Sequence, residues 1–206
     1  MTEPASKVPR RALLMAGGAA LAAGGLAFWL PEPSRAFKSV DITGADYARD
    51  FALPDHAGQP RTLKDFRGRV VAVFFGFTQC PDVCPTTLTE MTKVKQLLGS
   101  DGDRLQVIFI TVDPARDTPE VLRAYMRNFD PQHLALIPNE QQLQEVAREF
   151  KIYYKKIEGK TPTAYSMEHS AVTYVFDTRG RVRLYARYGL EPEALASDAR
   201  KLLKEA

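Results

Sequence analysis

The sequence predicts an α/β fold, a three-layer sandwich with a mixed central sheet, preceded by an N-terminal transmembrane helix. Two continuous runs of β-branched and aromatic residues, 70–75 and 105–112, are typical of strands that are buried on both faces. Segments with helical periodicity alternate with these strands, which favours an α/β arrangement. Two later strands flank the short turn at 177–180, so an antiparallel hairpin is expected to complete the sheet.

The N-terminal part of the chain predicts association with a membrane. The expected divisions are a cytoplasmic N-terminus at 1–11, a transmembrane anchor or signal segment at 12–30, a linker at 31–46 and one folded domain at 47–206. Residues 12–30 carry no charge, and at about 1.5 Å per residue they span about 28 Å, close to the thickness of the bilayer core. Three basic residues before this run place the N-terminus on the cytoplasmic side.

Two fates of this segment agree with its sequence. As an uncleaved anchor, which is favoured, it makes the chain a single-pass protein of the inner (cytoplasmic) membrane with its C-terminal domain in the periplasm. Alternatively, the Ser-Arg-Ala sequence at 34–36 serves as a cleavage site, and the mature domain is periplasmic. Either fate places the two cysteines in an oxidising compartment.

The folded domain begins with a short strand at 51–53 and one helical turn at 62–66. The first buried strand is broken at 76–81, and a helix with apolar residues at a 3–4 period follows at 86–98. After the second buried strand, residues 117–120 are the expected start of a helix, with a capping residue, Pro119 at the first helical position and an end near Asn128. The remaining predicted elements are a helix at 140–150, strands at 171–176 and 182–188, and a closing helix at 192–204.

Composition excludes two broad classes of protein. The formal net charge is only +3, without the strong basic stripe that nucleic-acid-binding proteins usually carry, so no nucleic acid is expected as a partner. The chain has only two cysteines, four positions apart, whereas a disulfide-stapled scaffold needs more cysteines spread along the chain. The pair therefore indicates a local functional site.

Cys80 and Cys84 lie where the first buried strand gives way to a helix. Residues at i and i+4 of a helix point in the same direction, so both sulfurs can face one point. The positive end of the helix dipole favours the thiolate, which is both a metal ligand and a redox nucleophile. The pair is therefore expected to bind a metal or to carry out thiol–disulfide chemistry, rather than to be two inert core cysteines.

Residues 74–85, Phe-Phe-Gly-Phe-Thr-Gln-Cys-Pro-Asp-Val-Cys-Pro, resemble the signature of the Sco/SenC family. Residues 111–119 and 168–177 resemble two further blocks of that family, and the similarity extends over roughly 48–204. The resemblance implies a thioredoxin-like fold and a role in copper delivery to cytochrome c oxidase. The sequence departs from the family pattern at Glu168, where Asp is common, and at 136–138, where a Thr-Gly pair is often found; neither position is a ligand.

The resemblance also implies that His169 is a third metal ligand beside Cys80 and Cys84. Two thiolates and an imidazole accept Cu(I) and can also hold Cu(II). Zinc takes the same kinds of donor, and the resemblance decides for copper. The other two histidines, His56 and His133, are expected to be solvated.

Two further residues, Met167 and Asp113, are expected near the ligands. Met167 shares a face with His169 on an extended segment, where it is a conceivable weak fourth ligand but is expected to pack instead. Asp113 follows a strand on the side of the cysteines, and its simpler role is to fix the loop through local hydrogen bonds.

Two functions follow from this site. The first is that of a metallochaperone, which binds one copper ion and delivers it to, or matures, the binuclear copper site in subunit II of cytochrome c oxidase. The second is that of a membrane-tethered thiol–disulfide oxidoreductase, in which Cys80 and Cys84 are the redox residues that reduce copper-ligand cysteines of the oxidase. Other copper chaperones and a thioredoxin-like reductant are further expected partners. A peroxidase of the peroxiredoxin type is excluded because Thr78 stands two residues before Cys80, not three.

Overall fold

Ten strands are present in the computed structural model, which describes residues 36–161 and 164–205. In chain order they are β1 (Val40–Asp41), β2 (Ala52–Pro54), β3 (Pro60–Thr62), β4 (Val70–Gly76), β5 (Leu105–Thr111), β6 (Leu134–Leu136), β7 (Tyr154–Ile157), β8 (Ser166–His169), β9 (Val172–Phe176) and β10 (Val182–Arg187). Six of them form the central sheet in the order β1-β10-β9-β4-β5-β6. Strands β4, β5 and β6 are parallel, whereas β9, β10 and β1 join by antiparallel pairing, so the predicted mixed sheet is confirmed.

Four α-helices surround this sheet in the described part of the chain. They are α1 (Val83–Leu98), α2 (Pro119–Met126), α3 (Glu140–Glu149) and α4 (Pro192–Lys204), with 3-10 turns at Leu63–Phe66 and Gly99–Arg104. Every residue of β4 and β5 is buried, which requires cover on both faces of the sheet. Helices α1 and α4 pack against each other, and α1 carries the cysteine pair from the end of β4.

Two small hairpins lie outside the central sheet. Strands β2 and β3 form one, and β7 and β8 form the other, with Tyr154 opposite His169. The sequence did not predict β7 and β8, because their residues are largely polar and exposed and the loop between them is long. Strand β6 was also missed, since three residues are too few to show a period.

The folded unit begins within the predicted linker. Val40 pairs with Tyr185 across β1 and β10, and the compact unit starts at Phe37. The backbone N–H groups of Lys38 and Ser39 donate to the buried carboxylate of Asp198 over 2.7–3.0 Å. Residues 37–46 of the predicted linker at 31–46 therefore belong to the domain; a two-residue strand leaves no pattern in the sequence.

The helix that follows β5 begins within the predicted start at 117–120. Thr118 is the N-cap, and its side chain accepts a hydrogen bond from the backbone N–H of Val121 at 3.3 Å, with Pro119 in the first turn. Asp117 does not cap this helix, because its carboxylate instead accepts from the hydroxyls of Thr78 and Thr111. Helix α1 also begins three residues earlier than predicted, at Val83, so that Cys84 lies in its first turn.

The predicted cytoplasmic N-terminus at 1–11 and membrane segment at 12–30 lie outside the described residues. Across 36–161 and 164–205, none of the helices combines the length and apolar character needed to cross a bilayer.

Candidate metal centre

The cysteine pair lies at the carboxyl end of the parallel strands. Cys80 is half-buried in the loop after β4, and its backbone N–H donates to the carbonyl of Phe77 at 3.2 Å. Cys84 is fully buried, and its backbone N–H points at the sulfur of Cys80 at 3.4 Å. Both are free thiols. The first turn of α1 thus brings the sulfurs together, as the i, i+4 spacing predicts.

Gly76, the last residue of β4, leaves the space in which Cys84 lies. A Cβ atom at this position would be 2.7 Å from the Cys84 sulfur and 2.8 Å from a ring carbon of Phe109. Contacts this short force the sulfur or the ring to move. Gly76 is therefore part of the site, although the sequence showed it only as the end of a strand.

His169 reaches the cysteines from the last position of β8. Its Nε2 atom is 3.6 Å from the sulfur of Cys84, and its Nδ1 atom is 3.1 Å from the carbonyl oxygen of Ser170. Because a carbonyl can only accept, Nδ1 carries the proton and the lone pair of Nε2 faces the sulfur. The ring also packs edge-on against Phe77, with ring centroids 5.8 Å apart. This arrangement points the unprotonated ring nitrogen of His169 towards the cysteine pair, the orientation that a metal ligand requires.

The donor atoms of Cys80, Cys84 and His169 all lie within 4.8 Å of one another. Within 36–161 and 164–205, no other group of three or more His, Cys, Asp or Glu side chains has this spacing. The three donors come from two chain segments, which lie 85 residues apart between Cys84 and His169. Two sulfurs and one imidazole nitrogen suit a soft metal ion such as copper.

Burial keeps the nearest thiol and imidazole in their neutral forms. Desolvation raises the pKa of the Cys84 thiol far above its ordinary value. It also lowers the pKa of His169, against the smaller opposing effect of the hydrogen bond to Ser170. Burial of Cys84 therefore acts against the thiolate, the form that the start of the helix is expected to favour.

Asp117 adds a buried carboxylate close to Cys84. It is fully buried and accepts hydrogen bonds from the Thr111 hydroxyl at 2.6 Å and from the Thr78 hydroxyl at 2.5 Å. Desolvation raises its pKa, and its charge adds to the raised pKa of Cys84. The hydrogen bonds to Thr78 hold the segment that leads to Cys80.

The family model described as SCO1/SenC matches residues 40–204. The chain belongs to the SCO1/SenC family. It is 38% identical over 133 residues to an SCO2-like protein of Rickettsia felis, a match that covers 64% of this chain and 65% of the relative, and so less than two thirds of that relative's length. The resemblance stated from the sequence is thereby confirmed.

Two solved structures of SCO1/SenC proteins share the fold. The structure of Bradyrhizobium japonicum ScoI with copper bound is 37% identical, has a TM-score of 0.68 and is matched over 74% of this chain and 97% of that one. Yeast Sco1 with copper bound is 29% identical, with a TM-score of 0.69 and matches over 76% and 88% of the two chains. The predicted thioredoxin-like α/β fold is confirmed, and both relatives were solved with copper.

The remaining sequence candidates lie outside the cluster. His133 is not solvated as expected, since only 2% of it is exposed. It enters the core immediately before β6. His56 is half-buried, with its Nδ1 atom 3.4 Å from the carbonyl oxygen of Ala135. Met167 is half-buried and packs against the core of this SCO1/SenC domain.

Asp113 fixes more than its own loop. Its carboxylate accepts from Arg116 at 2.5 Å, as the local role predicts, and also from the hydroxyl of Tyr165 at 2.8 Å, a residue 52 positions later in the chain. Arg116 and Tyr165 were not singled out from the sequence, since nothing local marks two residues as partners over that separation.

Proposed function

We propose that this chain is a copper metallochaperone of cytochrome c oxidase assembly, which binds one copper ion through Cys80, Cys84 and His169. The observation that carries the proposal is the approach of two sulfurs and one imidazole nitrogen to within 4.8 Å of one another. Relatives with the same fold were solved with copper bound, and the resemblance of the cysteine segment points to the same metal.

The donor set fits copper in both oxidation states. Thiolates are soft ligands that favour Cu(I), and an imidazole extends the site to Cu(II). Zinc also accepts two sulfurs and one nitrogen, so the three donors of the cluster do not by themselves select the metal. The choice of copper rests on the relatives that were solved with copper bound. Copper is therefore the metal we propose.

The two cysteines have different accessibility, which suggests an order of exchange. Cys80 is half-buried, whereas Cys84 is fully buried and touches the imidazole of His169. We infer that an acceptor thiolate first replaces Cys80, while Cys84 and His169 still hold the cargo. Binding requires the deprotonated sulfur, so loading of copper releases the proton that Cys84 holds at neutral pH.

The proposed acceptor is the binuclear copper site in subunit II of the oxidase. Copper is supplied by another copper chaperone, and a thioredoxin-like reductant keeps the two cysteines reduced, because a disulfide between them removes both sulfur ligands. We propose that residues 12–30 hold the chain in the inner membrane with the domain in the periplasm; cleavage after 34–36 instead leaves the domain periplasmic.

A thiol–disulfide oxidoreductase is the second candidate. The observation in its favour is that Cys80 and Cys84 are both free and adjacent, with the Cys84 N–H directed at the Cys80 sulfur. In this reaction one thiolate attacks a disulfide of the oxidase, and the other thiolate resolves the mixed disulfide. The target gains two electrons and two protons, which the cysteine pair loses. His169 has no required part in it.

Copper binding by variants separates the two functions. The purified protein is titrated with Cu(I) and Cu(II), and disulfide reduction is assayed on a peptide that carries the subunit II cysteines. We expect one copper per wild-type chain and a weakened Cu(II) site in His169→Ala, with His56→Ala as the matched control. If His169→Ala keeps full copper affinity and full reductase activity, the metallochaperone proposal is wrong.

Oxidase assembly in a strain that lacks this protein provides the second test. Cys80→Ser and Cys84→Ser each remove a sulfur that both mechanisms need, so neither is expected to restore the oxidase. Restoration by Cys84→Ser would contradict both thiol-based functions.

A further inference from the structure

The strand that carries His169 is not part of the central sheet. Strands β7 and β8 pair only with each other among the described residues, whereas the cysteines follow β4 in the middle of the sheet. The chain ties the His169 end of β8 to the sheet, because β9 begins three residues later and pairs with β4. The other end of β8, next to Tyr165, has no such tie, so side-chain contacts are needed to hold it against the cysteine loop.

Arg116 supplies contacts to three segments at this point. Its Nε atom donates to the Asp113 carboxylate at 2.5 Å, and its Nη1 atom donates to the side chain of Gln79 at 2.9 Å and to the carbonyl of Tyr165 at 2.8 Å. Gln79 precedes Cys80, and Tyr165 precedes β8. One guanidinium group thus joins the cysteine loop to the hairpin, with only 14% of its side chain exposed.

Contacts with aromatic rings also join the cysteine loop to the hairpin. The guanidinium of Arg116 stacks on the ring of Tyr165 at 3.6 Å, and the Tyr165 hydroxyl donates to Asp113 at 2.8 Å. Arg116 also lies 5.9 Å from the centroid of Phe77, whose ring packs edge-on against His169. Arg116 therefore reaches His169 by two routes, through Tyr165 along the chain and through Phe77 across the site.

We propose that Arg116 is the positioning residue that holds the His169 hairpin against the cysteine loop and so completes the three-ligand site. This inference rests on the proposed copper function. A planar guanidinium can form several directed hydrogen bonds and stack on a ring at the same time. A lysine ammonium can keep the charge pair with Asp113, but it cannot keep the stacking and both remaining hydrogen bonds.

The two oxidation states of copper depend on the hairpin to different degrees. Cu(I) is held by the two soft sulfurs, both of which belong to the segment at 80–84. Cu(II) depends more on the imidazole of His169, which the hairpin supplies. Loss of the Arg116 contacts is therefore expected to weaken Cu(II) binding selectively.

The test is a Cu(I) and Cu(II) titration of the full chain for Arg116→Ala and Arg116→Lys, with the sulfur-to-Cu(II) absorption band recorded. Arg116→Ala is expected to lose about 10- to 100-fold in Cu(II) affinity, the usual effect of removing a group that orients a ligand. Its Cu(I) affinity is expected to change far less, and Arg116→Lys is expected to recover part of the Cu(II) affinity. Arg123→Ala is the matched control, because Arg123 donates to the carbonyl of His56, away from the site.

Three outcomes overturn the proposal. They are an unchanged Cu(II) affinity and absorption band in Arg116→Ala, an equal loss for both oxidation states, and an Arg116→Lys protein no better than Arg116→Ala. If Arg116→Ala does not fold, Tyr165→Phe and Gln79→Ala each remove one contact, and unchanged Cu(II) binding in both contradicts the role of Arg116. His169→Ala distinguishes a failure of the proposed ligand set from a failure of the role proposed for Arg116. If His169→Ala also keeps its Cu(II) affinity, the proposed ligand set is wrong. If His169→Ala loses Cu(II) affinity but Arg116→Ala does not, only the role of Arg116 is contradicted.

Discussion

Gly76 shows how one missing side chain admits a ligand. The sulfur of Cys84 occupies the space where any other residue at position 76 would place its Cβ atom. In a strand interior a glycine usually weakens the sheet, and it is retained where another group must approach closely. Here the group that approaches is the sulfur of Cys84, a proposed metal ligand, so the glycine serves the site rather than the sheet.

We expect Gly76→Ala to weaken copper binding because it displaces the Cys84 sulfur. The added carbon atom is also expected to destabilise the fold by about 1–3 kcal/mol, the usual cost of overpacking a core. Copper titration and the sulfur-to-copper absorption band measure the first effect, and urea denaturation measures the second. Val107→Ile, which adds one carbon atom to a buried position of β5, is the control for overpacking alone. A Gly76→Ala protein with wild-type copper affinity and an unchanged band would contradict this account.

At the scale of single residues, the sequence indicated the cysteine pair but not its surroundings. Cys80 and Cys84 are four positions apart at the start of a helix, and local geometry is enough to bring their sulfurs together. His169 could be assigned only by resemblance, because spacing alone cannot relate residues 85 positions apart. Arg116 and Tyr165 were missed for the same reason, and nothing local in the sequence marks Asp117 as a hydrogen-bond partner of Thr78 and Thr111.

At the scale of elements, prediction succeeded where burial is extensive. Strands β4 and β5 are buried along their whole length, and their continuous apolar runs are plain in the sequence. Strands β1 and β6 and the β7–β8 hairpin were missed, because they are short or polar and are fixed by their partners. The hairpin matters most of these, since it carries His169.

The N-terminal end of the domain is fastened by one carboxylate of helix α4. Asp198 is fully buried and accepts backbone hydrogen bonds from Lys38 and Ser39, so it ties the chain before β1 to the helix. We expect Asp198→Ala to lower the free energy of unfolding by about 3 kcal/mol, because it leaves the buried N–H of Ser39 and the part-buried N–H of Lys38 without an acceptor. Urea denaturation measures this change.

The control for Asp198 lies on the same helix. Glu193 forms an ion pair with Lys93 in which both side chains are exposed, so Glu193→Ala is expected to change the free energy of unfolding little. Copper affinity is expected to be unchanged in both variants, since neither residue belongs to the metal centre. Equal stabilities of Asp198→Ala and Glu193→Ala would show that the carboxylate does not fasten the N-terminal segment.

At the scale of the whole molecule, the two ends of the parallel strands carry different groups of polar residues. The metal centre lies where β4 and β5 end, whereas a second group of buried polar residues lies near their beginnings. There Lys95 of α1, which is buried, donates to Gln132 at 2.5 Å and pairs with Asp130 at 3.2 Å, next to His133. This second group is remote from the cysteines, so its protonation affects folding without touching the proposed ligands.

His133 makes the stability of the whole domain depend on pH. Burial lowers its pKa to about 4, from about 6.5 in the unfolded chain, although Asp130 opposes this shift. Between these values the unfolded chain binds more protons, so stability is fully present above pH 6.5 and falls as the pH falls towards 4. We expect protonation linked to His133 to lower the free energy of unfolding by about 3 kcal/mol as the pH falls from 6.5 to 4.

The test is urea denaturation of wild type and His133→Leu at pH 7.5 and 4.5. Between these two pH values, wild type is expected to lose more unfolding free energy than His133→Leu. A difference that stays the same at both values would mean that His133 does not control the acid sensitivity of the fold.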